Sequence, residues 1–563
     1  MTARDQTSTS LAEPVDMSSL PPQTIRSLRF WGIFTALCLL SFISALDVAI
    51  ITTSLPTITA NIGGANQYVW IANSFVVASS VLQPLVGQLA DILGRRVPFV
   101  TSVTLFAVGS GIAGGAYNVG MLISGRTIQG VGAGGIYLLL SIVCCDLVPL
   151  RERGKYLALM NACAGVAAAV GPVIGGLIAQ RNWRWIFYLN IPICGVSLAV
   201  LLLFMRMKSG GATGVPLMAR ITRLDWLGNI IFTPSMIAVL FGLVMGGVQF
   251  PWDSWHILVP LILGVCGWAA FHIQQYFAAN PSIPSRLFSN RTSAIGYILT
   301  FFSSVLVQAQ SYFLPLYFQA ALGHTVLESG TDFLPFAIGT LGFAVISGVL
   351  LSKFGAYRPL HATAFACSAV GFGLLTLLDG NIAKVGWVFF ELIASAGAGL
   401  VLSVLLPAIM AALPEGDVAS ASAAFAFMKT FGYVWGVTVP SIIFNAVVDN
   451  NLYLISSPTL QNQLRDGGAY AFASQMHLLR DELSPETWSS LVLIYTRGLR
   501  VIWWLGLGIS VACLFGVGLE RGLELRKMLN TDYGIDEKVG VDEGTSEGSS
   551  SAVVSAEQPK DAK

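Results

Sequence analysis

Charged residues are scarce in this sequence: only 11% of its 563 residues are Asp, Glu, Lys or Arg, whereas soluble domains carry about 25%. Hydrophobic residues make up 54% of the chain, and the formal net charge is only +1. A net charge this small creates no field that would attract nucleic acid. The composition therefore predicts an all-α integral membrane protein whose surroundings include the lipid bilayer and exclude nucleic acid.

Residue patterns for metal, nucleotide or covalent chemistry are also missing. The five histidines are scattered and no Cys-x-x-Cys pair occurs, so we expect no metal site. The eight cysteines all lie inside apolar runs, where small buried thiols are more common than disulfides. The chain has no phosphate-binding loop and no readable pairing of a nucleophile with a base. We therefore expect neither an enzyme nor a bound cofactor.

Long apolar runs dominate the chain instead. Runs of about 20 residues, the length that crosses a bilayer, predict about fourteen transmembrane helices. We expect an N-terminal six-helix half at 30–205, two inserted linker helices at 226–278 and a C-terminal six-helix half at 293–519. The last half would contain an external loop at 448–497.

Basic residues indicate the orientation of these helices. Lys and Arg are concentrated in the loops that follow even-numbered spans, and such loops face the cytoplasm. Both termini are then cytoplasmic. The polar segments 1–25 and 530–563 are predicted to be disordered cytoplasmic tails.

A short motif occurs twice. "GQLADILGRRVP" begins at Gly87 and "GVLLSKFGAYRP" begins at Gly348, each between the second and third span of a half. Ser352 stands in the second copy where the first has Asp91. Repeated halves are a common plan of transporters, with the substrate site near mid-membrane at their interface.

Several motifs together resemble one known family. They are "LDVAIITTSLP" (46–56), "GQLADILGRR" (87–96), "LISGRTIQGVGAGG" (122–135), "GPVIGG" (171–176), "NWRWIFYLNIP" (182–192), "LDWLG" (224–228) and "LRKMLNTDYGIDEK" (525–538). On these residues the chain resembles the major facilitator superfamily, in its fourteen-helix drug:proton antiporter branch and most of all the fungal efflux pumps.

This resemblance implies a secondary active transporter that works by alternating access. It would export amphipathic organic compounds, such as a secondary metabolite, toxin, glycolipid or drug, in exchange for protons. We expect a monomer in the plasma membrane. Two alternatives share the scaffold: an uptake permease, for example for siderophore chelates, and a nutrient receptor that does not transport.

Three ionisable residues inside spans are candidates for proton coupling. Asp47 and Arg126 carry charges that lipid disfavours, which makes each a functional candidate, and the resemblance implies a coupling role for Asp47. Aligning "GAG" at Gly132–Gly134 with "GAG" at Gly397–Gly399 makes Glu391 the counterpart of Arg126, so we expect both to face one cavity. The alternatives are an interfacial Asp47, an Arg126 that extends to the outer surface, and a Glu391 that faces lipid.

The first motif copy is a candidate conformational latch. Asp91 and Arg95 are four residues apart, so they can meet on one helical face, and Gly87 and Gly94 allow close packing and a tight turn. The carboxylate could also contact the first turn of a helix in the other half. The alternative is a solvated helix end whose charges only set the orientation.

Two further sets of residues complete the candidates. The "GPVIGG" motif, which the resemblance associates with export, would pack and kink the fifth span through Gly171, Pro172, Gly175 and Gly176. Amides and aromatics suit an amphipathic ligand, although each could simply join helices. The tentative cavity residues of this type are Gln308, Gln310, Tyr312, Tyr317 and Trp435.

Overall fold

The structure is a computed structural model that describes residues 27–62, 68–205, 219, 222–247, 250–465, 467–480 and 482–526. Helices account for its architecture, and within these residues the only β-type pairing is an isolated bridge between Gly246 and Phe250. This confirms the predicted all-α fold. The expected tails at 1–25 and 530–563 lie outside the described residues.

The N-terminal half contains one span that is sharply bent. Its helices are α1 (Leu28–Ile62), α2 (Tyr68–Val81), α3 (Gln83–Leu93), α4 (Arg96–Gly114), α5 (Val119–Leu147), α6 (Leu150–Asn182), α7 (Trp185–Tyr188) and α8 (Asn190–Phe204). The α2 and α3 axes differ by 44°. Proline lacks the amide hydrogen that would continue a straight helix, and Pro84 lies in the first turn of α3.

The two inserted helices are fixed to the N-terminal half by polar contacts. They are α9 (Trp226–Met245) and α10 (Trp255–Phe277). The carboxylate of Asp225 caps α9 and also accepts a hydrogen bond from Gln275 of α10. Asn229 of α9 donates to Gln88 of α3 over 3.1 Å. The "LDWLG" segment thus joins both inserted helices to the bent span.

The C-terminal half follows with its own set of helices. They are α11 (Arg286–Ser289), α12 (Arg291–Ala320), α13 (Val326–Asp332), α14 (Leu334–Phe354), α15 (Arg358–Leu375), α16 (Lys384–Leu402), α17 (Leu405–Ala411), α18 (Val418–Asn451), α19 (Pro458–Leu464), α20 (Gly468–Phe472), α21 (Met476–Leu479) and α22 (Pro485–Gly518). Three 3-10 turns occur at Glu415–Asp417, Leu452–Leu454 and Ala473–Gln475.

The connection before the last span is shorter than the predicted loop 448–497. Helix α18 continues to Asn451 and α22 already begins at Pro485. Ser484 caps α22 by accepting from the amide of Thr487, and Ser followed by Pro is a common helix start. Hydropathy alone does not indicate this helix start, because the first turns of α22 are polar.

The number of apolar helices is compatible with the predicted number of spans. In the part of the chain that the structure describes, eleven helices are long and apolar enough to cross a membrane, or twelve if the bent α2–α3 pair counts as one span. Helices α6 and α15 fall outside that set but pack along it, α6 against α1 and α14, and α15 against α16 and α22. Fourteen spans are compatible with this arrangement.

Candidate functional site

Asp47 and Arg126 form a buried ion pair between α1 and α5. Nη1 of Arg126 lies 2.5 Å from Oδ2 of Asp47, and each residue is 1% exposed. The other carboxylate oxygen accepts hydrogen bonds from Gln129 and Asn190, both over 2.7 Å. The guanidinium carbon lies 4.4 Å from the centre of the Phe75 ring. Buried charges persist where they are paired and hydrogen-bonded, so these contacts hold both charges inside the half.

Gln129 and Asn190 belong to this buried cluster, and the sequence analysis does not single them out. Gln129 also accepts from Nη1 of Arg126 over 2.7 Å, and both amides donate to the hydroxyl of Ser110. Gln129 follows Arg126 by three residues, so it lies on the same helical face. That spacing could have revealed it. Asn190 begins α8, and its approach to Asp47 depends on how the helices pack.

Glu391 lies apart from that pair, on α16. It is 1% exposed, and neither carboxylate oxygen has a hydrogen-bond partner among the described residues. Asp332 lies within electrostatic range; its carboxylate is 2.6 Å from Nδ1 of His324 and 3.8 Å from Nζ of Lys384. No hydrogen bond or ion pair joins Glu391 to Arg126 in the described part of the chain, and the shared cavity stays a prediction.

Asp91 and Arg95 meet at the end of α3. Nη1 of Arg95 lies 2.8 Å from Oδ1 of Asp91, and Nε lies 2.8 Å from Asp146 at the end of α5. Gly94 has a φ of +81° and ends α3, so the pair forms across the turn and not along one continuous helix. A positive φ favours glycine at this position.

The same segment touches the other half of the molecule. Ser420, in the first turn of α18, donates to Oδ2 of Asp91 over 3.5 Å. A Cβ on Gly87 would lie 2.7 Å from the Cβ of Ala423, so only glycine fits without displacing α18. The first motif copy therefore packs α3 closely against α18.

The second copy makes the corresponding contact with α6. A Cβ on Gly348 would lie 2.5 Å from the carbonyl oxygen of Gly154. Arg151 donates to the carbonyl oxygens of Ser352, over 2.8 Å, and Lys353, over 2.5 Å. Backbone carbonyls thus take the place of the carboxylate that the first copy supplies. Each copy of the motif therefore packs against a helix of the opposite half.

A buried ion pair joins the halves at this same end. Nη2 of Arg153, whose side chain is fully buried, lies 2.8 Å from Oε2 of Glu415. The carbonyl of Arg526 accepts from the amide of Arg151 over 3.2 Å, so the segment after α22 also bridges the halves. We call the contacts Asp91–Ser420, Arg151–Ser352 and Arg153–Glu415 the interhalf latch, and the end of the molecule that carries them the basic face. Sequence reasoning had treated Arg151 and Arg153 only as orientation signals.

The "GPVIGG" motif lies in α6 where that helix crosses α1. A Cβ on Gly171 would lie 2.5 Å from the Cβ of Ala49, which is the close packing that small residues permit. Gly175 is buried as well. The side chains of Pro172 and Gly176 lie outside the described part of the structure.

Three of the tentative cavity residues lie on two helices that pack together, Gln308 and Gln310 on α12 and Trp435 on α18. Gln310 is buried and Trp435 is half-buried. Nε2 of Gln310 and Nε1 of Trp435 have no hydrogen-bond partner in the described residues. Gln308 packs on α18, since its Cβ would lie 2.8 Å from a Cβ placed on Gly436. Polar atoms left without partners in this way are available to a ligand or to water.

The two tentative tyrosines have other contacts. Tyr317 is buried and donates its hydroxyl to the carbonyl oxygen of Asp379 over 2.7 Å. Tyr312 is 42% exposed, and its ring centre lies 6.3 Å from that of Tyr470. The structure therefore does not gather these two with Gln310 and Trp435.

Comparison with known proteins connects this geometry to one family. Residues 37–437 match the family model of the Major Facilitator Superfamily. The chain is 42% identical to the MFS efflux transporter aclA of Aspergillus oryzae over 91% of this chain and 92% of that protein. It is 42% identical to the MFS-type transporter gkaD of Penicillium citrinum over 92% of this chain and 89% of that protein. It is 40% identical to the MFS-type efflux pump LUC4 of Fusarium sp over 94% of both.

Solved structures show the same fold at low sequence identity. The human organic anion transporter MFSD10 superposes with a TM-score of 0.55 at 13% identity, covering 86% of this chain and all (100%) of that one. The proton:xylose symporter XylE superposes with a TM-score of 0.50 at 16% identity, covering 83% of this chain and 98% of that one. These likenesses concern the fold alone. The chain belongs to the Major Facilitator Superfamily and is a multi-pass membrane transport protein, not an enzyme.

Proposed function

We propose that this chain exports amphipathic organic compounds, such as secondary metabolites, toxins, glycolipids or drugs, in exchange for protons. The names of its relatives support this direction of transport. A protein that is 42% identical over 91% of the chain is named an efflux transporter. A protein that is 40% identical over 94% of the chain is named an efflux pump. They support export over the alternatives of uptake or nutrient sensing.

Proton coupling is supported by the Asp47–Arg126 pair. Asp47 is buried and both of its carboxylate oxygens are paired or hydrogen-bonded, so a proton that reaches Asp47 removes the charge that Arg126 needs and changes the electrostatics of the whole half. Glu391 is a second candidate carrier because its carboxyl is buried with no partner among the described residues. In this proposal one proton-binding group serves each half.

Alternating access is supported by the interhalf latch. The latch closes the basic face, and the positive-inside rule places that face in the cytoplasm, so this conformation is closed toward the cytoplasm. Opening for substrate would require the contacts of Asp91, Arg151 and Arg153 to break.

We place the protein in the plasma membrane as a monomer, with both termini cytoplasmic.

Inside-out vesicles with an imposed pH gradient test this proposal. The probes are fluorescent amphipathic dyes of anionic, neutral and cationic type, and the matched control vesicles carry Asp47→Asn. We expect at least one dye to accumulate when the lumen is more acidic than the bath, with or without ATP, and a protonophore to abolish it. Accumulation that persists with ATP after the gradient is collapsed would exclude proton-coupled export. Accumulation that requires the opposite gradient would indicate uptake instead.

A further inference from the structure

Lys429 lies well inside the membrane-spanning helix α18 and is not used by the coupling network or the latch. It follows Val418, the first residue of α18, by about three turns, or ~16 Å of helical rise. That distance is about half of the ~30 Å hydrocarbon layer. Lys429 is half-buried, and it forms no hydrogen bond or ion pair with the described residues. An intramembrane charge in this position is a candidate functional group.

The other faces of α18 are occupied by neighbouring helices. Ala423 packs against Gly87 of α3. Gly432 and Gly436 pack against α12. Phe431 packs against Trp268 of the inserted α10, with ring centres 5.8 Å apart. These contacts take up three sides of the helix.

Lys429 and Tyr433 are one turn apart, so they share one side of α18, which adjoins the face that carries Gly432 and Gly436. The phenol of Tyr433 lies within electrostatic range of Tyr137 on α5, and Tyr137 donates to the carbonyl oxygen of Ser44 on α1. This side of α18 therefore faces the N-terminal half across the centre of the molecule.

Lys429 keeps some accessible surface although it lies in a covered part of α18. No residue of α18 between Val418 and Pro440 is exposed, whereas lipid-facing residues such as Leu263 of α10 are 65% exposed. Tyr137, Lys429 and Tyr433 are all half-buried, so water-sized molecules can reach each of them.

The acidic residues of the surrounding helices do not balance this charge. Asp47 pairs with Arg126, and Asp91 and Asp146 pair with Arg95. Glu391, on α16, forms no ion pair with any described residue, Lys429 included. Lys429 is thus a cation with no counter-ion among the described residues in this conformation, one helical turn from Tyr433.

We propose that Lys429 is the counter-charge for an acidic group on the transported compound, so that the chain takes amphipathic organic anions with an aromatic or apolar body. This rests on the proposed export function and specifies its substrate class. The ammonium would hold a carboxylate or an acidic phenol by a charge-assisted hydrogen bond. Tyr137 and Tyr433 would contact the body of the molecule through their ring faces and edges.

Binding of a matched acid and ester to the purified full-length protein tests this inference. The probes are 1-pyrenebutyrate and its methyl ester, followed by fluorescence polarisation. Lys429→Met removes the charge at nearly constant length, Lys429→Arg keeps it, and Lys155→Met removes a charge from the exposed surface. We expect Lys429→Met to weaken acid binding by about tenfold or more, the range of a hydrogen bond to a charged group. Ester binding should not change.

Two control variants and the contradicting results complete this test. Lys429→Arg should bind the acid within a few-fold of the wild type, and Lys155→Met should match the wild type. Equal weakening of acid and ester in Lys429→Met, unchanged acid binding, or failure of the wild type to bind the acid would each overturn the inference. Acid binding that depends on Lys429 in a protein whose vesicles transport no dye would instead overturn the proposed export and leave the anion site in place.

Discussion

Two buried carboxyls of this protein have opposite surroundings. Asp47 has an ion-pair partner and amide donors on its second oxygen, whereas Glu391 has no hydrogen-bond partner among the described residues. A charge is stable in the first environment and costly in the second. Replacing the carboxyl should therefore lower the stability of the protein at Asp47 but not at Glu391, even if both replacements affect transport.

Asp47→Asn should destabilise the protein because it leaves the buried Arg126 without a counter-charge. Breaking a buried pair from one side costs about 3–5 kcal/mol. The measurement is the thermal unfolding midpoint of purified protein, together with vesicle transport. The double variant Asp47→Asn/Arg126→Gln should regain most of the midpoint, since no charge is left unpaired, but not the transport. Full transport by the double variant would show that the pair serves only stability.

Glu391→Gln should leave the unfolding midpoint unchanged or slightly raised, because the acid has no hydrogen-bond partner to lose among the described residues. Its effect should appear in transport, as a loss of the dependence of export rate on external pH. His324→Ala is the matched variant at the neighbouring charged cluster and removes the 2.6 Å contact to Asp332. We expect it to keep the pH dependence with an altered midpoint. If the Glu391→Gln variant kept the pH profile of the wild type, Glu391 would have no place in the coupling scheme.

The sequence could identify Asp47 and Arg126 but not that they bind each other. A charge inside an apolar run can be recognised in the sequence, whereas the ion-pair partner of that charge depends on the rotation of each helix about its axis. The glycine alignment relates Arg126 to Glu391, and it does not indicate the contact that Arg126 makes with Asp47 of α1 at 2.5 Å. Lys429 is also a charge inside an apolar run, but the sequence does not show which helices it faces.

At the scale of helices, glycines determine how closely the halves approach. Gly87→Ala should place a methyl group against Ala423, and Gly348→Ala should place one against the backbone of Gly154. We expect both to slow dye export, with Ala423→Gly restoring the first because that neighbour is a side chain. No side-chain substitution should restore transport in Gly348→Ala as fully, because the atoms that its methyl group would meet belong to the backbone of Gly154. Gly342→Ala, with open space around it, is the control in the same helix as Gly348.

Transport rates at matched surface expression measure this effect. Equal rescue of both variants, or a defect in Gly342→Ala, would show that helix propensity and not contact between the halves is responsible, since alanine favours helix more than glycine does.

The repeat of Gly87 and Gly348 was visible in the sequence, and so was the length of most spans. The start of α22 at Pro485 was not, because capping and not hydropathy fixes it.

At the scale of the whole molecule, we propose that the interhalf latch favours one of two states. Its polar contacts lie at the basic face, where loops meet α18 and α6. A contact that exists in only one conformation shifts the equilibrium by its full differential free energy. Losing about 1.4 kcal/mol from the closed state multiplies the open population about tenfold.

Arg153→Gln should therefore open the basic face. Cys145 is fully buried in this conformation and lies within electrostatic range of Arg153, which makes it a native reporter for opening. We expect an impermeant maleimide applied to inside-out vesicles to modify Cys145 at least about tenfold faster in the variant, as measured by peptide mass spectrometry. Arg96→Gln is the matched control, because Arg96 binds the carbonyl of Leu202 within its own half and should leave the rate unchanged. Equal acceleration in both variants would mean that loss of basic charge, and not loss of the latch, exposes the thiol. Acceleration confined to Arg153→Gln would identify the Arg153–Glu415 pair as a contact that closes the transporter toward the cytoplasm.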